Sequence, residues 1–231
     1  MLRKAKTPYL RDVYLSYLIR EAKRTQIDEY PIIEEWMVSK EPPSEIIQWD
    51  RRTDVKEPSK TAISFFCADY TFQPILNNPK NYVDKLSKYG QIVGLDASPY
   101  DNMPLVVQKS QIFINIACTY FFGKNGIKII PNIRLGDNRT LSALEAFPRH
   151  TLIAIGTNGF VKLNENKIIL ANQVEAVARA LEPKGICVYG PAKPEIFKYP
   201  KSIGIPIFQF DSYTMKENKK DKKRILSGCN K

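Results

Sequence analysis

The residues of this chain best suited to chemistry follow short apolar runs that have the composition of buried strands. In the segment 91–104, an apolar run at 92–95 ends on Asp96, and a polar loop separates it from a long apolar segment. The same order of apolar run, polar loop and helix-like segment returns at 127–147. Because ligands of parallel α/β folds bind just beyond the carboxyl ends of the strands, these loops are the expected location of a site.

Polar side chains at the ends of parallel strands converge on one edge of the sheet, and here they fall into two groups. The candidates for catalysis are Asp96, Asp101, Asn132, Arg134 and Asp137. The candidates for ligand binding are Asp69, Ser98, Tyr100, Thr157, Asn158, Tyr189 and Asp211. We expect the fold to bring these side chains together.

Oxygen ligands drawn from several strands can hold Mg²⁺ or Mn²⁺, and Asp96 and Asp137 are the expected metal ligands. Arg134 fits a phosphate through its planar fork of donors. Together these groups would suit phosphodiester or nucleotide chemistry, in which a metal neutralises charge and activates water. An aspartate after a strand is equally explained as a helix N-cap or the start of an Asx-turn, so both interpretations stay open.

Several common catalytic arrangements find no match in the sequence. His150 is the single histidine, which argues against a histidine-based zinc site, and its place at a predicted turn favours a surface role. The glycines of 156–159 are too few for a phosphate-binding fingerprint, although their backbone could form a nest for an anion. The serine and cysteine residues lack a partner base for nucleophilic catalysis.

The positive charge of the chain is concentrated at its two ends. The formal net charge is +11, and residues 1–24 and 216–231 each hold seven Lys or Arg against two Asp or Glu. The middle of the chain is therefore nearly neutral, which argues against a long duplex footprint on the domain itself. A basic end is a common electrostatic contact for nucleic acid, and it serves solubility equally well.

Cysteine usage and hydropathy bound the cellular setting. The cysteines are far apart and lie mostly in apolar runs, as buried free thiols do; they are Cys67, Cys118, Cys187 and Cys229. Free thiols and the lack of a secretory leader predict a cytoplasmic location. The longest apolar segment, 105–122, is interrupted by Gln108 and other polar residues, so no membrane partner is expected.

Regular alternation of strand-like and helix-like segments from residue 61 onward predicts an α/β fold. The predicted strands are 62–68, 91–95, 127–130, 151–155, 185–189 and 205–210. The predicted helices between them are 82–89, 104–122, 140–147 and 170–181. Such alternation implies a parallel sheet of about six strands with right-handed crossovers. We favour an incomplete or distorted TIM-like barrel over a doubly wound open sheet.

Composition divides the chain into three segments. A basic amphipathic helix is predicted within residues 1–24, over about 12–23, because apolar residues recur on one helical face. Residues 25–215 are expected to form a single α/β domain. The basic tail 216–231 is expected to be disordered, since it has too few apolar residues to offset the entropy of ordering.

Blocks of this sequence resemble those of a bacterial domain-of-unknown-function family found in phages, prophages and mobile elements. The blocks are Leu-Asp-Ala-Ser-Pro-Tyr-Asp-Asn-Met-Pro at 95–104, Ile-Pro-Asn-Ile-Arg-Leu-Gly-Asp at 130–137, Ala-Ile-Gly-Thr-Asn-Gly at 154–159 and Val-Tyr-Gly at 188–190. The first two are similar to D-x-S-x-Y-x-D-M-P and V-I-P-N-V-x-W-G-D. Asn102 and Leu135 stand where that family has Asp and Trp, and Asp101 is a neighbouring carboxylate for the first of these positions. The resemblance covers about residues 60–191; it implies a mobile-element protein in a bacterial host cell and brings no established activity.

Two functions of different class follow from these features. The favoured one is an accessory protein related to nucleic acid or nucleotides, with a polar cleft at the carboxyl ends of the strands. Its partners would be nucleic acid or a nucleotide, held by that cleft or by the basic ends, or a host protein. The alternative is a divalent-metal-dependent enzyme that hydrolyses a phosphodiester or nucleotide in the same cleft.

Overall fold

Two parallel β-sheets form the centre of the molecule. The computed structural model describes residues 15–159 and 163–228, of which 222–228 are described by backbone only. One sheet holds β1 (Glu45–Gln48), β2 (Thr61–Ser64), β3 (Gln91–Val93) and β4 (Ile129–Ile130), in that order. The other holds β5 (Leu152–Gly156), β6 (Gly185–Tyr189) and β7 (Ile207–Phe210), again in chain order. All of these pairings are parallel, so the carboxyl ends of the strands in each sheet lie at one edge.

Helices of two kinds connect and cover the strands. The α-helices are α1 (Asp69–Asn77), α2 (Val83–Leu86), α3 (Leu105–Lys124), α4 (Asn164–Leu181), α5 (Lys198–Ser202) and α6 (Tyr213–Gly228). The 3-10 helices are Ser16–Ile19, Glu35–Met37, Trp49–Asp54, Pro58–Lys60, Pro79–Tyr82 and Asn138–Ala146. Within the described stretches of the chain, no helix has both the length and the apolar composition needed to span a bilayer.

The two sheets meet at the carboxyl end of β4. Asn132 forms an isolated parallel bridge with Ala154 of β5. The N–H of Ala154 donates to the carbonyl of Pro131 at 2.8 Å, and the N–H of Ile133 donates to the carbonyl of Ala154 at 3.0 Å. Among the residues that the structure describes, no strand pairing joins β7 to β1. The parallel strands therefore continue from one sheet to the other and stay unpaired between β7 and β1.

A small apolar cluster draws on every strand of both sheets. Its buried members are Ile46, Ala62, Val93, Ile130, Leu152, Ala154, Cys187 and Tyr189. Phe66, Phe208 and Phe210 pack against it, and the ring of Phe66 stacks on that of Tyr189 with centroids 5.3 Å apart. A larger cluster is formed by the alternate residues of the strands, which point to the other face, together with buried apolar residues of the helices. The strands are therefore covered by apolar side chains on both faces, which explains their continuous apolar sequences.

The start of α6 is linked to both sheets. The hydroxyl of Tyr189 donates to Oε1 of Gln48 and accepts the N–H of Tyr213, both at 3.0 Å. Lys216 forms an ion pair with Glu45 of β1 at 2.5 Å. The sequence predicts disorder over 216–231, whereas the structure has helix as far as Gly228, and 229–231 lie outside the described residues. The prediction was based on the low number of apolar residues in the tail. It did not include the contacts of Tyr213 with Tyr189 and of Lys216 with Glu45, which anchor the first turn of α6.

The predicted N-terminal helix also differs from the structure. Its first residues lie outside the described part of the chain, which begins at residue 15. From there only the 3-10 turn Ser16–Ile19 forms, with Leu18 buried against the core. Leu15 has a left-handed φ of 52°, a conformation that a continuous α-helix does not contain. The described part of 1–24 is therefore not the α-helix that the sequence pattern predicts.

The prediction of a parallel α/β architecture is confirmed. The six predicted strands correspond to β2 through β7, and the ends differ from the prediction for each of them except β6. β1 was not predicted, because its two buried residues, Ile46 and Ile47, lie between polar neighbours in a proline-rich segment. α1 was not among the predicted helices, and it contains Pro74. Phe72 and Ile75 are fully buried there, and their burial outweighs the backbone hydrogen bond lost at the proline.

Candidate functional site

Two adjoining cavities open at the carboxyl ends of the strands. The first cavity, about 340 Å³, lies between the loops after β3 and β4, the end of β5 and the start of α4. It is lined by Ser98, Pro99, Tyr100, Asp101, Ile133, Arg134, Leu135, Gly136, Ile155, Gly156, Asn166, Ile169, Leu170 and Gln173. The second cavity, about 280 Å³, is lined by Phe66, Cys67, Ala68, Asp96, Ser98, Arg134, Gly156 and Asn158. Since Ser98, Arg134 and Gly156 line both, the two cavities share a wall.

Three of the predicted catalytic residues form one cluster. The Oδ1 atom of Asp96 accepts the side-chain N–H of Asn132 at 2.7 Å. The Nε atom of Arg134 lies 3.8 Å from the same oxygen. Asn132 also donates to the backbone carbonyl of Leu95 at 3.0 Å, so its amide orientation is fixed by two acceptors. The bridge between the two sheets thereby positions Asn132, and Asn132 in turn positions the carboxylate.

The carboxyl group of Asp96 is in a poorly solvated position. Only 12% of its side chain is exposed, and this burial raises the pKa of Asp96 above its ordinary value of 3.8. The positive charge of Arg134 and the hydrogen bond from Asn132 lower the pKa, whereas the negative charge of Asp69 raises it further. The ionised carboxylate therefore depends on Arg134 and Asn132 for stabilisation.

Asp69 supports the loop that carries Ser98. It is the first residue of α1, and its Oδ2 accepts the N–H of Ser98 at 3.1 Å. The hydroxyl of Ser98 lies 3.5 Å from Oδ1 of the same carboxylate. Asp69 is not among the residues that line either cavity. Its contribution is to hold in place a residue that lines both.

Asp137 makes a different set of contacts. Its Oδ1 accepts the N–H of Arg139 at 2.9 Å as the N-cap of the 3-10 helix Asn138–Ala146, and the guanidinium of Arg139 pairs with Oδ2 at 2.6 Å. Hydrogen bonds from Arg139 and from Gln108 hold the pKa of Asp137 well below its usual range. Asp137 lines neither cavity, so the interpretation as a cap matches its position.

Gln108 of α3 joins the two loops of the first cavity, a role that sequence reasoning missed. The side chain is fully buried, and its Nε2 donates to the carbonyls of Asp101 at 3.1 Å and Met103 at 2.8 Å. Nε2 of Gln108 also donates to Oδ2 of Asp137 at 2.9 Å. In return, the backbone N–H of Asp137 donates to Oε1 of Gln108 at 2.8 Å. The available signal was a glutamine inside an apolar helix, where a polar side chain needs a buried partner.

Tyr100 and Asp101 lie at the mouth of the first cavity. The side chain of Tyr100 is 60% exposed although it lines the cavity, and Asp101 is also exposed. The backbone carbonyl of Asp101 is held by Gln108, as is that of Met103. Both side chains are therefore presented by a fixed loop and remain accessible to a ligand.

The four remaining candidates occupy different surroundings. Asn158 is exposed and lines the second cavity. Thr157 is fully buried, and its hydroxyl donates to the carbonyl of Pro191 at 3.1 Å, which joins the loops after β5 and β6. Tyr189 bridges β1 and α6, and burial raises its pKa to about 12. Asp211 forms an ion pair with Lys219 at 2.5 Å. Thr157, Tyr189 and Asp211 line neither cavity.

The carboxylates do not form a preassembled metal cage. In the described portion of the chain, no three Asp, Glu, His or Cys side chains are grouped so that they could hold a metal ion. Asp96 is engaged by Arg134, and Asp137 is engaged by Arg139. Mg²⁺ commonly binds through one or two carboxylates together with substrate phosphates, so a metal at Asp96 or Asp137 stays a prediction.

Comparison with known proteins identifies one family. The profile of a family described as Domain of unknown function (DUF4417) matches residues 27–211, which include both cavities. The match agrees with the resemblance of the sequence blocks to a domain-of-unknown-function family. No curated protein and no solved structure matches the chain.

Proposed function

This chain belongs to the family Domain of unknown function (DUF4417), and we propose that it binds a nucleotide or a nucleic-acid strand in the two adjoining cavities, as an accessory protein of a phage or other mobile element. The mobile-element setting rests on the resemblance of the blocks at 95–104 and 130–137 to proteins of such elements. The ligand class rests on the side chains that line the cavities.

The proposal rests chiefly on the position of Arg134. Its side chain lines both cavities, and its Nε lies 3.8 Å from a carboxylate oxygen of Asp96 that Asn132 also holds. A guanidinium whose position is fixed by a neighbouring carboxylate suits the planar, bidentate geometry of a phosphate. The hydroxyl of Ser98 and the amide of Asn158 line the second cavity and add donors for phosphate oxygens.

The proposal includes the fold that presents this site. Strands β1 to β4 and β5 to β7 run in chain order without the reversal that marks a doubly wound sheet, and one apolar cluster receives side chains from all of them. These features support an incomplete TIM-like barrel that is open between β7 and β1. In such barrels the ligand sites lie at the carboxyl ends of the strands, which is where both cavities open.

A divalent-metal-dependent enzyme is the second candidate, favoured by one observation. The charge of Asp69 acts on Asp96, so among the groups described around Asp96 two carboxylates face one guanidinium, that of Arg134, close to the second cavity. The net negative charge there would favour a phosphate that arrives with Mg²⁺ or Mn²⁺. The metal would supply Lewis-acid stabilisation of the phosphoryl group, and Asp96 is the residue that would hold it.

Calorimetric titration with nucleoside monophosphates, with and without Mg²⁺, tests the proposal. Arg134→Ala should weaken nucleotide binding by about tenfold or more, because a charge-assisted hydrogen bond is lost. Arg149→Ala is the matched control: this arginine pairs with Glu182, is exposed and lines neither cavity. Equal affinity in both variants, or no binding by the unmodified protein, would overturn the proposal.

The same titration separates the two candidate functions. A binding protein should hold the nucleotide equally well without a metal and leave it chemically unchanged. An enzyme should require Mg²⁺ or Mn²⁺, release inorganic phosphate or nucleoside, and lose that activity in Asp96→Ala.

A further inference from the structure

We infer that the first cavity is a nucleobase compartment, in which Tyr100 stacks on the base and the amides of Asn166 and Gln173 contact its edge. The inference rests on the proposed function, because it assumes that the ligand is a nucleotide or a strand. It adds a division of the site: the base lies in the first cavity, and the phosphate lies at Arg134, on the wall shared with the second.

The walls of the first cavity suit a flat apolar group. Leu135, Ile155, Ile169 and Leu170 line it from three different elements: the loop after β4, β5 and α4. Its volume of about 340 Å³ falls within the range of small-molecule sites, which are mostly apolar with a few placed polar groups. The second cavity, with Asp96 and Asn158, is more polar. The two cavities therefore differ in the way that the two ends of a nucleotide differ.

The polar groups of the first cavity are those that read base edges. Asn166 and Gln173 project from α4, and both are partly buried. Nε2 of Gln173 donates to the carbonyl of Gly136 at 2.7 Å, which fixes the amide. Its second N–H and its carbonyl oxygen can still meet a ligand. Amide side chains offer a donor and an acceptor together, the pattern that pairs with the edge of a base.

Exposed apolar side chains line this cavity at Tyr100 and Ile169 and occur in the neighbouring segments of the chain. Tyr100 retains 60% of its surface in water while lining the cavity, and Gln108 fixes the loop around it. The neighbouring segments carry further large apolar side chains that are at least 44% exposed: Met103, Val106, Val107, Leu163, Ile168 and Ile169. An exposed aromatic ring at the edge of an apolar cavity is a platform on which bases stack with little regard to sequence.

Arg134 connects the two halves of the inferred site. It lines both cavities together with Ser98 and Gly156. A nucleotide whose base contacts Tyr100 would direct its sugar along this shared wall and its phosphate toward the guanidinium. The inference thus explains why one arginine borders an apolar cavity on one side and a polar cavity on the other.

The test compares ligands that share a phosphate and differ in the base. AMP, GMP, CMP and UMP are titrated calorimetrically against ribose 5-phosphate and inorganic phosphate. The nucleotides should bind at least about tenfold more tightly than ribose 5-phosphate, since stacking of one base is lost in the latter. Tyr100→Ala should weaken the best nucleotide about five- to a hundredfold and leave ribose 5-phosphate unchanged.

Variants and controls make the outcomes distinct. Tyr100→Phe should retain the affinity, because it keeps the ring, and Tyr70→Ala should have no effect, because Tyr70 is exposed and lines neither cavity. Asn166→Ala should change the ranking of the four nucleotides. If ribose 5-phosphate binds as tightly as the nucleotides, the inference of a base compartment is wrong, whereas the proposal of a phosphate site at Arg134 is still supported. If no phosphate compound binds, the proposed function fails as well.

Discussion

At the scale of single residues, two aspartates that looked alike in sequence have opposite surroundings. Asp96 and Asp137 each follow a strand and precede a helical segment, and both were predicted to bind a metal. The structure buries Asp96 beside Arg134, and it makes Asp137 an N-cap bound by Arg139. Sequence could locate both at the carboxyl ends of strands. It could not show which one lines a cavity, because that depends on partners distant in the chain.

The first prediction concerns the pH dependence of stability in Asp96→Asn. The pKa of Asp96 is raised in the folded protein, so the folded state keeps this proton to a higher pH than the unfolded chain does. The stability of the unmodified protein relative to the variant is therefore greatest below pH 3.8, and it falls as the pH rises through the folded-state pKa. Above that pH, the free energy of unfolding of the variant relative to the unmodified protein should be higher than it is in acid, by about 1.4 kcal/mol for each pH unit between the two pKa values. Urea unfolding across a pH series measures this difference.

Asp137→Asn is the matched control for that measurement, and its sign is reversed. The pKa of Asp137 is depressed, so its ionised form stabilises the folded state at neutral pH, and this contribution is lost as the pH falls below 3.8 through the folded-state pKa. Asp137→Asn should therefore be less stable than the unmodified protein at neutral pH. The difference in free energy of unfolding between the two proteins should decrease as the solution is made acidic. The same sign for both variants would contradict the surroundings assigned to the two carboxyls.

At the scale of elements, Gln108 shows how α3 supports the site, and a second prediction follows. Gln108→Leu removes the partner of two loop carbonyls and of Asp137, all of which then lie against an apolar side chain. Buried groups left without a partner should lower the free energy of unfolding by about 1–3 kcal/mol. Gln111→Leu, on the same helix and only partly buried, is the control and should change stability little. Urea denaturation at neutral pH distinguishes them, and equal stability would mean that the loops do not depend on Gln108.

The elements that sequence located best are those whose apolar residues are contiguous. β6, Gly185–Tyr189, was predicted to the residue, because all five of its residues are buried. β1 was missed because its signal is two isoleucines, and its strand conformation is fixed by parallel pairing with β2. α6 was missed because its anchors, Tyr189 and Glu45, lie far away in sequence. Local pattern thus predicts elements stabilised by their own burial and fails for those stabilised by contacts with other segments.

At the scale of the whole molecule, the described bases of α6 are largely balanced by acids. Lys216 pairs with Glu45, Lys219 with Asp211, and Lys220 with Glu217. Arg51 lies over the ring of Tyr213 at 4.2 Å, which adds a further contact between α6 and the segment after β1. The other bases of the C-terminal segment are the run 222–224, Lys-Lys-Arg, and Lys231. Any binding of polyanions by this end of the chain should depend on that run.

The last prediction tests the run 222–224 in nucleic-acid binding. Changing all three residues to glutamine keeps α6 and its ion pairs at Lys216 and Lys219 while removing three charges. If the run contacts phosphates, log affinity against log salt should become less steep by up to about 2.7 units on duplex DNA, because each contact releases close to one counterion. The loss should be the same on unrelated DNA sequences, since phosphate contacts carry no base information. Changing Lys193, Lys198 and Lys201 to glutamine removes the same charge elsewhere and is the control. Equal slopes for the two triple variants would show that the run acts only through net charge, and would leave the cavities and the basic segment 1–24 as the remaining candidate sites for nucleic acid.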